Sequence, residues 1–145
     1  MKISWQGVYP ALTTPFTSDD RIDYPVFENN LNAQLEAGVD GVILGGTLGE
    51  ASSLLNEEKY DLVRFTVEKV QGRVPVVMNI AEQTTRAAMA AAQVAEDCGA
   101  SGLMLLPPMR YKADDRETLE YFRAVAEAGP LPIMIYNNPV DYKIL

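Results

Sequence analysis

The sequence predicts an α/β chain of the (β/α)8 TIM-barrel type, of which it supplies about the first four and a half βα units. Three observations carry this. Four of the five strand candidates are continuous apolar runs, Gly41–Leu44, Val74–Ile80, Gly102–Leu106 and Pro132–Tyr136, the pattern of parallel strands covered on both faces. Glycines that would close helices recur at Gly38, Gly72, Gly99 and Gly129, at a spacing of roughly 30 residues, the length of a βα unit. The last apolar run is followed by Asp141-Tyr142-Lys143-Ile144-Leu145, with no helix to cover it. A finished open sheet usually ends in such a helix, whereas a barrel takes about 250 residues. The expectation is therefore one domain over residues 1–145, the N-terminal part of a barrel.

The elements follow in order. Val8–Leu12 is the first strand candidate. Asp23 then precedes Pro25 and the helical spacing Phe27, Leu31, Leu35, and Gly38 ends that helix. After Gly41–Leu44, Asn56 opens a second helix with Glu57 and Glu58 in its first turn and Tyr60, Val63, Val67 and Val70 on one face. After the third strand, Thr84 or Thr85 opens an alanine-rich helix that closes at Gly99. Past the fourth, Asp114 with Glu117 forms a capping box ahead of Leu119, Phe122 and Val125. Ala37–Leu44 and Cys98–Leu105 echo each other as helix end, glycine, short loop and strand.

Composition narrows the chemistry. A formal net charge of −8 and a pI near 4.5 argue against a nucleic-acid or anionic-membrane surface. No apolar run reaches the roughly 18 residues of a membrane span, and the N-terminus has no signal-like apolar region. One cysteine, Cys98, allows no internal disulfide and reads as a small core residue, so a soluble cytoplasmic setting is expected. The chain has no histidine, which removes Ser-His-Asp and Cys-His catalysis and the commonest transition-metal ligand. Neither a metal nor a cofactor is expected. Lysine, tyrosine, carboxylates, hydroxyls and backbone dipoles remain.

The most informative stretch is Gly45-Gly46-Thr47-Leu48-Gly49-Glu50-Ala51-Ser52-Ser53-Leu54, which follows Val42-Ile43-Leu44 directly. Glycines at the carboxyl end of a buried strand let backbone amides approach a ligand. Free N–H groups with the Thr47 hydroxyl would suit a carboxylate or phosphate. The run is neither a dinucleotide fingerprint nor a P-loop. Taken alone, a structural βα turn explains it equally well. Glu50 reads as a turn carboxylate rather than a general base, and Asn79 and Glu82, after the third strand, are placed to line a barrel mouth. Met78, Met104 and Met134 read as core packing.

Four motifs together say more: Ala11-Leu12-Thr13-Thr14-Pro15-Phe16, Gly45-Gly46-Thr47-Leu48-Gly49-Glu50, Leu106-Pro107-Pro108 and Ile135-Tyr136-Asn137-Asn138-Pro139. In this order, each at the carboxyl end of a strand, they resemble the dihydrodipicolinate synthase / N-acetylneuraminate lyase family over essentially the whole chain. The resemblance implies a (β/α)8 barrel and class I aldolase-type chemistry. A lysine forms a Schiff base with the ketone of a 2-oxo acid, usually pyruvate, and the protonated imine stabilises the neighbouring carbanion. It implies carboxylate binding at Gly46, Thr47, Leu48 and Gly49, proton relay by Tyr136 with Thr47 as second member, and a homo-oligomer, dimer or tetramer.

Three departures qualify the transfer. The family's lysine lies one βα unit past the tyrosine, about 30 residues on, so the nucleophile is expected outside this chain, which is expected to be inactive alone. Lys2, Lys59, Lys69, Lys112 and Lys143 read as solvated surface lysines. Leu48 stands where the family usually has a second hydroxyl, which leaves only its backbone N–H as donor. The loop tyrosine that reaches a neighbouring subunit is displaced by about one position to Tyr111, with Arg110 in its slot, so both are candidates for that site. The alternative reading is a non-catalytic half-barrel that binds a small carboxylate or assembles through its open strand edges, because unpaired edges invite association.

Overall fold

The computed structural model describes residues 3–108 and 111–142. Nine elements follow one another: α1 (Tyr24–Glu36), β1 (Val42–Leu44), α2 (Asn56–Val70), β2 (Val76–Ile80), α3 (Thr85–Asp97), β3 (Gly102–Leu105), α4 (Asp115–Glu127), β4 (Ile133–Ile135) and the short α5 (Pro139–Tyr142). The strands form one parallel sheet in sequential order, β1-β2-β3-β4. Leu44 pairs with Met78, Asn79 with Met104, and Leu105 with Ile135. Every crossover between neighbours is a helix, as parallel pairing requires.

Local chemistry sets the helix starts. Asp23 Oδ1 accepts the Val26 N–H at 3.0 Å, and Pro25 sits in the first turn, where its missing N–H has no helical partner to lose. Thr84, not Thr85, caps α3, its Oγ1 accepting the Ala87 N–H at 3.2 Å. Asp114 and Glu117 form the reciprocal capping box, with bonds of 2.7 and 2.9 Å. Asn56 is the first helical residue of α2 rather than its cap; Leu55 holds the cap position, and Glu58 Oε2 accepts the Leu55 N–H at 2.8 Å.

Strand side chains alternate between two layers. Val42, Leu44, Val76, Met78, Ile80, Leu103 and Leu105 pack against Phe27, Leu31, Leu62 and the small face Ala88, Ala91, Ala92 and Ala95 of α3. Ile43, Val77, Met104 and Leu106 point the other way and join Ile3 in a smaller cluster. All of these side chains are buried. Both faces of the sheet are therefore apolar, which is why its sequence reads as unbroken apolar runs.

Two elements differ from expectation. Val8–Leu12 runs beside β1 without becoming a full strand: Asp40 and Ile43 donate to Val8 O and Pro10 O, and Leu12 donates to Ile43 O, each at 2.9 Å, with one bridge between Ala11 and Ile43. Pro10 has no N–H for a continuous ladder, and the Val8 N–H is taken by Asp40 Oδ2 at 2.7 Å. At the other end, the Tyr142 N–H donates to Asn138 O at 2.8 Å and closes the short helix α5, which the apolar pattern did not predict.

Candidate functional site

The carboxyl end of β1 turns sharply at Gly45, whose φ of +65° is a left-handed conformation that glycine adopts without strain. The turn then closes on itself, with the Glu50 N–H on Thr47 O at 3.1 Å and the Ala51 N–H on Gly46 O at 3.2 Å. A second fastening comes from the Ala11–Phe16 segment: buried Thr14 donates its hydroxyl to Gly49 O at 2.7 Å. A Cβ on Gly49 would stand 3.0 Å from Leu12 O and 3.1 Å from Gly45 N. Gly49 is thus fixed by close backbone approach and does not line the cleft that the turn opens onto.

What the fastened turn presents is Thr47 and Leu48. Both are exposed, and among the described residues neither amide donates to a protein acceptor. They open onto a cleft of about 310 Å³ above the inner face of the sheet, floored by Ile43, Met104 and Leu106. Gly46 and Asn79 line it, and Tyr136 closes its far side. The Tyr136 N–H donates to Leu105 O at 3.0 Å, which pins the residue at the end of β4. Its ring lies 6.3 Å from that of Tyr142 at 64°. Burial, followed by Tyr136 and Asp141, raises the Tyr142 hydroxyl above its ordinary range. Asn138 supports this corner by accepting the Val140 N–H at 3.2 Å.

The fold therefore brings together Gly46, Thr47, Leu48 and Tyr136 and leaves Gly49 behind them. Tyr111 is elsewhere. It is exposed and borders a depression of about 740 Å³ between the starts of α3 and α4, with Thr84, Thr85, Lys112, Glu117 and Tyr121. Arg110 and Met109 lie outside the described residues, as do Lys2 and Lys143. None of the described lysines, Lys59, Lys69 and Lys112, lines the cleft. Lys69 pairs with Glu28 at 2.9 Å on the surface. Glu50 is exposed with a φ of +57° and does not line the cleft either. Among the described residues no cluster of three His, Cys, Asp or Glu side chains could hold a metal ion, and no helix is long and apolar enough to cross a membrane.

Two residues gain a place that the motifs alone did not give them. Thr14 fastens the glycine turn across 35 positions, a contact invisible in linear spacing. Asn79 interrupts the apolar run Val76-Val77-Met78-Asn79-Ile80, and a polar residue in a doubly covered strand was the available signal.

Comparison with known proteins places this geometry. A family model described as the dihydrodipicolinate synthetase family matches residues 4–142. A 4-hydroxy-tetrahydrodipicolinate synthase of Methanothermobacter thermautotrophicus is 35% identical over 139 residues, which are 96% of this chain and 48% of the relative. Among solved structures, YagE of E. coli K12, described as a prophage protein of the dihydrodipicolinic acid synthase family in complex with pyruvate, superposes with a TM-score of 0.91 at 32% identity, over 96% of this chain and 47% of that one. A chloride-inhibited dihydrodipicolinate synthase of Acinetobacter baumannii, also with pyruvate, gives 0.93 at 28% identity, over 97% and 48%. The four strands and their helices are thus part of the barrel of these neighbours, and the chain spans about half the length of the relatives it matches.

Proposed function

This chain belongs to the dihydrodipicolinate synthetase family, and on that premise we propose that the protein is a Schiff-base-forming lyase or aldolase that acts on a 2-oxo acid such as pyruvate. One observation carries the reading. Thr47 and Tyr136, far apart in sequence, both line one cleft whose polar side is a turn in which the Thr47 and Leu48 amides are undonated among the described residues.

The chemistry assigns roles from there. The Thr47 and Leu48 N–H groups, with the Thr47 hydroxyl, hold the carboxylate of the 2-oxo acid by charge-assisted hydrogen bonds. Leu48 contributes its amide only, and its side chain keeps that rim of the cleft apolar. A lysine amine adds to the ketone and water leaves, and the resulting protonated imine accepts the electron pair released when the neighbouring C–C or C–H bond breaks. The Tyr136 hydroxyl, with Thr47 across the cleft as second member of the relay, passes the proton between the reacting carbon or leaving group and solvent.

The nucleophile is supplied from outside the described residues, since none of the three described lysines lines the cleft, and the 145 residues alone are inactive. Tyr111 and Arg110 belong to a contact with a neighbouring subunit of a homo-oligomer; the exposure of the Tyr111 ring supports this. The single buried Cys98, with no disulfide, fits a cytoplasmic setting.

A second reading keeps binding without catalysis. The side of β4 away from β3 is open: Ile135 is 59% exposed and borders an apolar depression with Phe122, Leu131 and Ile133. A half-barrel that assembles through this edge would still hold a carboxylate. Borohydride reduction in the presence of pyruvate separates the two. The full-length protein is expected to gain one reduced pyruvyl adduct on a lysine, located by peptide mass spectrometry. A folded full-length protein that gains none would overturn the lyase and leave the binding half-barrel.

A further inference from the structure

Asn79, which lines the cleft, carries a buried polar atom that the proposed chemistry leaves unused. Asn79 is 4% exposed, at the carboxyl end of β2, on the same face of the strand as Val77 and beside Met104. Its Nδ2 donates to Gly45 O at 2.8 Å. Because a carbonyl can only accept, this contact fixes which end of the amide is nitrogen. The oxygen, Oδ1, has no partner among the described residues. A buried acceptor left unpaired is unfavourable, and native interiors rarely tolerate one without a reason.

The surroundings restrict what would satisfy it. Asn79 lines the cleft together with Thr47, while the floor is Ile43, Met104 and Leu106. Its amide nitrogen is held by Gly45, the residue that starts the turn presenting the carboxylate-facing amides. Asn79 therefore supports the turn proposed to bind the carboxylate, while its Oδ1, an acceptor, has the opposite preference to that turn's amides. A carboxylate or ketone oxygen brought to it would meet lone pair with lone pair. A hydroxyl would complete it.

We propose that Asn79 is a specificity-determining residue whose Oδ1 accepts a hydrogen bond from a hydroxyl on the 2-oxo acid, so that the cleft takes a 2-oxo acid hydroxylated on the carbon beside its ketone. This rests on the cleft binding a 2-oxo acid, as argued above. A buried acceptor discriminates because a ligand that lacks the donor leaves it unpaired. The amide bond to Gly45 holds the acceptor before any ligand arrives.

Hydroxypyruvate and 2-oxobutyrate test this directly, since they differ by a hydroxyl against a methyl on the same carbon. Titration calorimetry on the full-length protein is expected to show hydroxypyruvate binding about five- to tenfold more tightly than 2-oxobutyrate, the range one neutral hydrogen bond gives. Asn79→Leu is expected to bring that ratio to one or below. A wild-type ratio near one, with pyruvate trapped, overturns the role of Asn79 and leaves the lyase intact. A preference for hydroxypyruvate that survives Asn79→Leu overturns it as well. If no 2-oxo acid is trapped at all, the lyase reading falls and this proposal falls with it. Should Asn79→Leu not fold, the wild-type ratio alone decides.

Discussion

The two faces of the sheet differ in what completes them. On the outer face, strand residues such as Leu44, Val76, Leu103 and Leu105 are sealed by α1 to α4 of the same chain, through Phe27, Leu31, Leu62 and the alanines of α3. On the inner face the buried cluster is only Ile3, Ile43, Val77, Met104 and Leu106, with the cleft above it. A helix that follows its strand covers the outer face locally, within one βα unit. The inner face has no such local partner. In a barrel it packs against strands from across the axis. The covered face holds the fold together, and the other is where a ligand finds room.

The sharpest way to break this comparison is to remove the same kind of bulk from each face. Leu105→Ala, on the helix-covered side, is expected to lower stability by about 3–5 kcal/mol, the range for a fully buried leucine in a site that cannot collapse. Met104→Ala, its neighbour on the inner side, is expected to cost about 1–2 kcal/mol, because the cleft already leaves Met104 without a full set of neighbours. Denaturant unfolding of the two variants measures the gap. Equal losses would mean that both faces are equally packed.

A middle-sized effect is expected at the turn that joins the faces. Gly49→Ala places a methyl 3.0 Å from the Leu12 carbonyl, and backbone cannot yield as a flexible side chain would. A loss of about 1–3 kcal/mol is expected, together with weaker pyruvate binding as Thr47 and Leu48 shift. Unchanged pyruvate affinity in Gly49→Ala would separate the turn from the site.

The smallest expected effect comes from the helix-covered side, where Tyr121 is buried with its hydroxyl unpaired among the described residues. Tyr121→Phe removes that group and is expected to be neutral or to stabilise by about 1 kcal/mol. Burial, with Glu82 adding to it, holds this hydroxyl well above the ordinary tyrosine value of 10.0. A raised folded-state pKa means a contribution that is full below about pH 10 and lost as pH rises further, where the unfolded chain ionises first. The wild type should therefore lose stability above pH 10 more steeply than Tyr121→Phe. Parallel curves would show that folding does not raise the Tyr121 pKa.

Most elements were legible because their causes are local. Asp23, Thr84 and the Asp114–Glu117 pair cap helices through contacts three residues away, within reach of any reading of spacing. The apolar runs located the strands for the same reason. The first strand was over-read because Val8–Leu12 has strand composition, while Pro10 denies it a continuous ladder. In the site, Gly46, Thr47, Leu48 and Tyr136 were legible as motifs, and the structure joins them at one cleft. Gly49, expected as a ligand contact, packs closely against backbone in the turn and is not in the cleft lining. Tyr111, expected to reach a neighbouring subunit's site, borders a different depression of this chain.

The sequence by itself determined the repeating βα order, the Asp23 and Asp114 helix caps, the parallel sheet and the family, because each depends on residues within one unit or on motifs at fixed points along the chain. Only the tertiary structure decided that Thr14 fastens the glycine turn, that Asn79 donates its amide N–H to Gly45 while its oxygen has no partner among the described residues, and that Thr47 and Tyr136 share a cleft. Those contacts join strand ends that are distant in sequence. Their distances follow from sheet register and from the packing of helices against one face, neither of which linear spacing encodes.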